Sequence, residues 1–433
     1  MRLACYIRSI QSARGAERVA VHLASGLSAR GYDIDFLVEE ESGWFMQELR
    51  AQSVNIRVVN LRRPAMPRWW QRFLQACSFA IMMADNVRRR EGDWCVRPIF
   101  NLLFRDDVPI AALLRYINTA RPKAILSLLN YPNAALLIAG RVSPRKTRVV
   151  VSVHNTISAS MGKSDSRRSR DVPRLMKRLF PLADEIIAPS RGVAEDVAGV
   201  ARVRRDSISM IYNPVVGPSL LAQAAAQIDD PWLADRNVPA IVAAGKLKPQ
   251  KDFPTLLRAF ARIRKMLPSR LIILGEGPER ARLLKLAKEL GIATDVALPG
   301  QVRNPYVYYR QAAVFVLSSK WEGLPTVLIE AMACGCPVVS TACPSGPSEI
   351  LENGRFGALV PVGDHGGLAK AVLHTLADPP PRERLVERAR CFSIDEAATR
   401  YERVLVGTPI VTTRPVCGGG NRGEAVQLQN SNL

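Results

Sequence analysis

Residues 321–341 read WEGLPTVLIEAMACGCPVVST. Glu322 and Glu330 stand in an otherwise apolar run punctuated by Gly323, Pro325, Gly335 and Pro337. Upstream, VFVLSS (314–319) has the composition of a buried strand. The stretch therefore parses as strand, loop (KWEGLP), helix (TVLIEAMACG) and a second strand (PVVST). Pro325 suits the first helical turn and Gly335 the C-terminal cap. Glu322 and Gly323 then lie in the loop outside the carboxyl end of a strand, at a helix start, which is where open α/β sheets bind ligands. The free N–H groups and positive dipole end found there suit a phosphate. Glu330 falls more than a turn into the helix, among Val327, Leu328, Ile329 and Met332, where a carboxylate is costly to bury without a partner. The vicinal hydroxyls of a ribose would supply two donors for its two oxygens, and Glu322 would meet hydroxyls of a second sugar. For either glutamate taken alone, an ordinary exposed carboxylate is the better reading.

Outward from this stretch the same alternation runs through most of the chain. Strands are expected near LACYI, DIDFLV, VNIRVV, AILSLL, RVVVSV and EIIAPS in the first half. A second series follows near PAIVAAG, RLIILGEG, VALPG, VFVLSS, PVVST and GALVP. Helix-length segments such as AERVAVHLASGLSARG separate them, which implies βαβ units and parallel sheets covered by helices. Asn213-Pro214 and Gly217-Pro218 supply turn and linker chemistry where the pattern breaks. With 433 residues the chain exceeds the size at which one core keeps growing. The expected organisation is an N-terminal domain over 1–212, a C-terminal domain over 213–385, a helix over 386–406 returning to the N-terminal domain, and a flexible tail over 407–433.

The net charge of +21 is uneven, with 34 basic against 19 acidic residues in 1–212 and 26 against 20 in 213–433. Such an excess suggests an anionic partner: a membrane surface, a phosphorylated substrate or a nucleic acid. Nothing resembles an RNP, zinc-finger or KH pattern, and aromatics are not interleaved with the basic sites, so nucleic acid is not expected. The eight cysteines form no CxxC pairs or Cys/His zinc spacing and fit reduced thiols. The N-terminus, with Arg2, Arg8 and Arg14, lacks an apolar secretory core, and no apolar run approaches a membrane-spanning length. A cytoplasmic protein, peripheral at the inner face of the membrane, is the expectation. The segment PRWWQRFLQACSFAIMMADNVRRR, within 62–90, has Trp69, Trp70, Phe73, Leu74 and Cys77 at helical spacing with Arg88, Arg89 and Arg90 closing it. It fits an interfacial helix or a buried helix with a solvated basic end, and the pattern leaves both open.

The stretch EGLPTVLIEAMACGCPVVST resembles the glutamate–seven–glutamate signature of retaining glycosyltransferases with the GT-B fold, of the family 4-like group. Other segments agree in order: GAERVAVHLASGLSARGYDIDFLV (15–38), SVHNTIS (152–158), IYNPV (211–215), AAGKLKPQKDFPTLLRAF (243–260), IILGEGPER (272–280) and CPSGPSEIL (343–351). The resemblance spans nearly the whole chain except 57–125 and the tail.

It implies two Rossmann-like doubly wound domains facing across a cleft, with a nucleotide-sugar bound by the C-terminal one and an acceptor by the N-terminal one. Lys246 and Lys251 match the basic diphosphate pair, although the first position is usually arginine; lysine gives up the bidentate fork but keeps a point charge. Gly323, Leu324 and Thr326 match backbone contacts to phosphate or sugar. Glu330 matches the ribose carboxylate and Glu322 the group on the transferred sugar. Gly275 and Gly277 match a close passage by the nucleotide, and Gln301, Val302 and Arg303 the loop beside the base. Gly15 falls where the first strand meets its helix, open to the diphosphate or acceptor. His154, at a strand end, matches the histidine touching the transferred sugar. No nucleophile stands out, and the family's favoured route is same-face displacement in which the departing phosphate helps deprotonate the acceptor hydroxyl. A DxD clamp is lacking, so no metal or other cofactor is expected.

The implied activity is a retaining hexosyl- or N-acetylhexosaminyl-transfer from a nucleotide-sugar, UDP by analogy with relatives carrying GPSEIL-type segments. The implied acceptor is a saccharide or polyprenyl- or lipid-linked saccharide in envelope polysaccharide, lipopolysaccharide or glycan synthesis. A non-enzymatic polyanion binder and a GT-B nucleotide-sugar epimerase are the competing classes.

Overall fold

The computed structural model describes residues 1–10, 15–41, 55–62, 109–161, 167–228, 230–235 and 237–408, together with Leu49 and Ala76. The apolar runs form two sheets in which every pairing is parallel. Strands β1 (Arg2–Ser9), β2 (Asp33–Glu40), β3 (Ile56–Asn60), β4 (Ala124–Leu128), β5 (Arg148–Ser152), β6 (Glu185–Ala188) and β7 (Ile208–Met210) build the first, in the order β3-β2-β1-β4-β5-β6-β7. Strands β8 (Ala240–Ala244), β9 (Arg270–Leu274), β10 (Val296–Gly300), β11 (Val314–Leu317), β12 (Val338–Thr341) and β13 (Ala358–Val360) build the second, in the order β10-β9-β8-β11-β12-β13. The two orders share one scheme: each series runs outward from its first strand, then reverses on the other side.

Continuous apolar strands follow from this layering, because helices cover both faces. In β4, Ile125 enters one buried cluster with the helices Ile110–Ala120 and Asn130–Val142, while Ala124 and Leu126 enter another with the helix Gly15–Ser28. The second sheet is sandwiched likewise between two clusters. β7 has no counterpart among the expected strands: it is three residues long, and Ser209 turns its hydroxyl to Glu185 at 2.7 Å.

The chain crosses between the sheets twice, and the crossings run together. Val215 and Val216 donate N–H bonds to the Phe392 carbonyl, and Ile394 donates one to that of Val216. The helix Ile394–Val406 starts on the Ser393 hydroxyl, which accepts from the Glu396 N–H, and stops at Gly407 in the left-handed region. Its Tyr401, Val404 and Leu405 lie in the core of the first sheet. Arg30 fixes it further, 2.6 Å from Asp395 and 2.7 Å from Thr399.

Four cysteines, Cys5, Cys334, Cys336 and Cys343, are free and buried. Burial pushes Cys5 and Cys334 up to about 12, so they pack as inert thiols. Cys391 departs from the reduced-thiol expectation: it is disulfide-bonded. Apart from Arg62 and Ala76, the segment 62–90 lies outside the described residues, as does the tail beyond Thr408. Among the described residues no helix is long and apolar enough to cross a membrane.

Gly26 sets how closely the first and last helices approach. A Cβ there would stand 3.0 Å from Ala398 and from Ile394. Gly26→Leu is expected to destabilise the protein by about 1–3 kcal/mol through overpacking, read as a lower urea midpoint.

Candidate functional site

In the second sheet β8 and β11 are neighbours from which the chain winds in opposite directions, and the crevice outside their carboxyl ends is the switch point of such a sheet. The loop after β8 carries Lys246 and Lys251. The loop after β11 carries Glu322 and Gly323 and leads into the helix Thr326–Ala333. That helix starts behind Pro325 with no side-chain cap, so its first N–H groups keep their capacity for a ligand. It ends as the sequence suggested: Gly335 has φ +72°, its N–H bonds to the Met332 carbonyl, and that of Cys336 bonds to Ala331.

Both glutamates are buried, Glu322 at 6% and Glu330 at 2% exposure. Glu322 is satisfied within its own lobe. Its Oε1 accepts from Lys251 Nζ at 2.6 Å and Ser319 Oγ at 2.6 Å, and Gln250 Nε2 lies 3.5 Å from Oε2. The expected phosphate lysine and the expected sugar carboxylate are thus brought into one ion pair. Glu330 has a protein partner that the sequence did not reveal: Arg18, in the helix Gly15–Ser28, donates from Nη1 to its Oε1 at 3.0 Å. Its Oε2 is buried with no hydrogen-bond partner.

Across the lobes the signature loop is held by its main chain. Thr156 Oγ1 donates to the Glu322 carbonyl at 3.1 Å. The hydroxyls of Ser190 and Ser345 each lie 3.0 Å from the Gly323 carbonyl and 2.8 Å from one another. The Arg191 N–H bonds to Glu349 at 2.9 Å. Gly323 is needed for this approach, because a Cβ there would fall 2.2 Å from the His154 carbonyl. Ser345 holds φ +70°, a strained value for a side-chain-bearing residue, at the point where it caps the loop. Of these groups the sequence flagged only the segments containing Thr156, Ser345 and Glu349; Ser190 appeared only as the last residue of the expected strand EIIAPS.

Gly15 is exposed, and a Cβ on it would lie 3.7 Å from Thr326 Oγ1, so the starts of two helices face one another across the cleft. Lys246 and Arg303 are exposed, Val302 is half-buried and Leu324 is buried. Gly275 and Gly277 have a reason that needs no ligand: Cβ atoms there would meet the carbonyls of Gly245 at 2.1 Å and Leu247 at 2.3 Å. They let the 275–277 loop lie flat on the 245–247 loop. Among the described residues no cluster of His, Cys, Asp or Glu has the makings of a metal site.

His154 follows β5 and is buried, with Nε2 3.0 Å from Ser152 Oγ and Nδ1 buried without a hydrogen-bond partner. Burial pushes its pKa down to about 4, partly opposed by the Asn213 side chain. At neutral pH it is an uncharged hydrogen-bonding group.

Two family models match in tandem. "Glycosyltransferase Family 4" covers residues 13–216 and "Glycosyl transferases group 1" covers 225–392. Over 262 residues the chain is 33% identical to the N-acetylgalactosamine-N,N'-diacetylbacillosaminyl-diphospho-undecaprenol 4-alpha-N-acetylgalactosaminyltransferase of Campylobacter jejuni, spanning 60% of this chain and 69% of that one. It is 32% identical to the lipopolysaccharide core biosynthesis glycosyltransferase LpsE of Rhizobium meliloti, over 53% of this chain and 66% of that one. Among solved structures, Anabaena HepE in complex with UDP and glucose superposes with a TM-score of 0.68 at 18% identity, over 94% of this chain and all of that one. Sucrose-phosphate synthase from Thermosynechococcus elongatus gives 0.69 at 20% identity, over 93% and 97%.

The His154 shift fixes a pH dependence. Between about 6.5 and 4 the unfolded chain binds a proton at this position that the folded chain refuses. Its contribution is therefore whole above pH 6.5 and is lost as pH falls toward 4, with a slope of about 1.4 kcal/mol per pH unit at most. Replacing it, His154→Asn, is expected to reduce the loss of unfolding free energy between pH 7 and pH 5 by about that order, measured by urea denaturation at both values.

Proposed function

The chain belongs to the group 1 glycosyltransferases of the family 4 type, and on that premise we propose that it moves a hexosyl or N-acetylhexosaminyl group from a UDP-sugar to a saccharide or polyprenyl-linked saccharide acceptor, with retention at the anomeric carbon. Its two parallel sheets are the GT-B fold. In this reading residues 1–212 carry the acceptor side and 213–385 the donor side, with 386–406 returning to the first lobe.

The observation that carries the proposal is the convergence at one cleft. Lys246 and Lys251 follow β8, Glu322 and Glu330 follow β11, and Gly15 and the His154 main chain stand directly opposite. The donor diphosphate sits at the uncapped start of the helix Thr326–Ala333, where Gly323, Leu324 and Thr326 offer backbone groups and the two lysines offer charge. Glu330 takes the ribose hydroxyls, and the loop of Val302 and Arg303 lies by the base. Glu322 takes hydroxyls of the transferred sugar, beside the neutral His154.

The C1–O bond to the diphosphate breaks and the acceptor oxygen bonds C1 on the same face. The acceptor proton passes to the leaving phosphate oxygen. No covalent catalyst is assigned, and the reading calls for no metal, since the helix start and lysines meet the developing charge. Arg8, near the end of β1, and Arg62, just beyond β3, keep 39% and 44% exposure while held 3.7 Å from buried Glu39. They support an anionic acceptor, such as a diphosphate-linked lipid at the inner face of a membrane, in lipopolysaccharide or other polysaccharide synthesis.

A thermal-shift panel of UDP-, GDP- and ADP-sugars on the wild type and Glu330→Ala is the test. A UDP-sugar at 100 times its Kd should stabilise the wild type by about 2.7 kcal/mol and the variant far less; a panel with no response, or an equal response, sinks the reading. In turnover assays Lys251→Met should lower kcat about 100- to 1,000-fold, as loss of a charge-stabilising donor does. NMR of the product linkage reports its anomeric configuration.

A further inference from the structure

The backbone of the signature loop is engaged on one side and open on the other. The Lys320 N–H bonds to the Gln250 carbonyl, and the Trp321 carbonyl accepts from Gln250 Nε2. The Glu322 N–H faces the Pro344 carbonyl at 3.4 Å. The Glu322 carbonyl takes the Thr156 hydroxyl, and the Gly323 carbonyl meets the Ser190 and Ser345 pair. The N–H groups of Gly323 and Leu324 have no acceptor among the described residues, although both residues are buried. Buried donors left in that state are costly, so the two call for a ligand.

Resting on the reading of this loop as the seat of the donor diphosphate, we propose that Thr156 is a positioning residue for it. The Thr156 hydroxyl fixes the Glu322–Gly323 peptide so that the Gly323 N–H is presented to a phosphate oxygen. No peptide among the described residues is cis, and in a trans peptide the carbonyl and the N–H point in opposite directions. Holding the Glu322 carbonyl on Thr156 therefore turns the Gly323 N–H away from the N-terminal lobe.

The two carbonyls are not held equally. Ser190 and Ser345 have two hydroxyl protons for three contacts, their mutual one at 2.8 Å included. Either serine can serve the Gly323 carbonyl when the other is lost. The Glu322 carbonyl has Thr156 alone among the described residues. Thr156 stands at the N-cap of the short helix Ile157–Ser160, where a threonine hydroxyl ordinarily accepts a backbone N–H. It makes no such bond. The Asp196 carboxylate, in the helix Arg191–Ala201, accepts from the N–H groups of Ile157 and Ser158 instead. The threonine hydroxyl reaches across to the other lobe. Segment 154–156 lies close on the loop there: a Cβ on Gly323 would also stand 3.2 Å from the Asn155 Cα. Because the bond spans the lobes, the Gly323 N–H is fixed for the diphosphate only while they are together, and closure completes the site.

Calorimetric titration of the full chain with UDP and with uridine is the test, on the wild type, Thr156→Val, Thr156→Ala and Thr156→Ser. Valine keeps the shape of threonine without the hydroxyl, alanine avoids any clash, and serine keeps the hydroxyl. Uridine lacks the phosphates, so only UDP reads the Gly323 N–H. Thr156→Val and Thr156→Ala should each lower the ratio of UDP to uridine affinity about tenfold, the equivalent of one hydrogen bond to a charged group. Thr156→Ser should restore most of it. Melting curves without ligand report whether each variant is folded, and the alanine and serine pair decides the matter should valine not fold. A ratio unchanged without the hydroxyl, or lowered as far by serine as by alanine, means that Thr156 only packs and overturns the proposal. A wild type that binds UDP no more tightly than uridine removes the diphosphate reading itself, and the positioning role with it.

Discussion

Two carboxylates buried on either side of one helix start impose the conditions that the surrounding structure meets. Taking such a group out of water costs several kcal/mol unless a cation and further donors replace the solvent. Glu322 finds all of this in its own lobe, in Lys251, Ser319 and Gln250. Glu330 finds its cation only in the other lobe, and only for one oxygen. The C-terminal half therefore carries an internal charge that it does not neutralise alone, and the helix Gly15–Ser28 is bound to it for an electrostatic reason as well as by packing.

The loops around these groups are shaped by the same demand for close approach. Glycines at 245, 275 and 300 all have positive φ where β8, β9 and β10 end; a Cβ on Gly275 would strike the Gly245 carbonyl, one on Gly245 the Lys251 side chain and one on Gly300 the Glu276 side chain. Their bonds run in sequence: the Gly245 N–H to Leu274, that of Gly275 to Gly300, and that of Leu247 to Glu276. This platform leaves Lys246 exposed and Lys251 turned inward on Glu322, so two lysines of one loop occupy different environments. On the opposite wall Gly346, at φ +93°, lets the segment after β12 fold over Pro325 and the Gly323 carbonyl.

Much of this was legible beforehand, and the remainder was hidden for definite reasons. Twelve strands were visible because parallel strands covered on both faces read as unbroken apolar runs; β7 was not, being three residues with a polar centre. Glu322 stood out because a charged residue in the loop outside the carboxyl end of a strand lies where this topology binds ligands, Glu330 because a carboxylate is costly among apolar neighbours, and the two lysines through the family resemblance. Arg18, Ser190 and Thr156 did not stand out, since their partners Glu330, Gly323 and Glu322 lie 312, 133 and 166 residues away. Such pairings are created by the packing of two lobes, and no local pattern records them. Gly275 and Gly277 have a further reason that the pattern did not show: the Cβ they lack would strike protein backbone.

One face of the helix Gly15–Ser28 and its extension ties these observations together. Residues 18, 22, 26 and 30 recur at the four-residue spacing that lines up side chains on a helix. In order they meet Glu330, the linker carbonyl of Pro214, the return helix at Ile394 and Ala398, and its Asp395. His22 must hold its proton on Nδ1 to donate to Pro214, and burial pushes its pKa down to about 4, so the bond persists uncharged at neutral pH. The two interlobe crossings are bonded to each other at Val216, Phe392 and Ile394. Arg18 lies one turn, about 6 Å of rise, beyond His22.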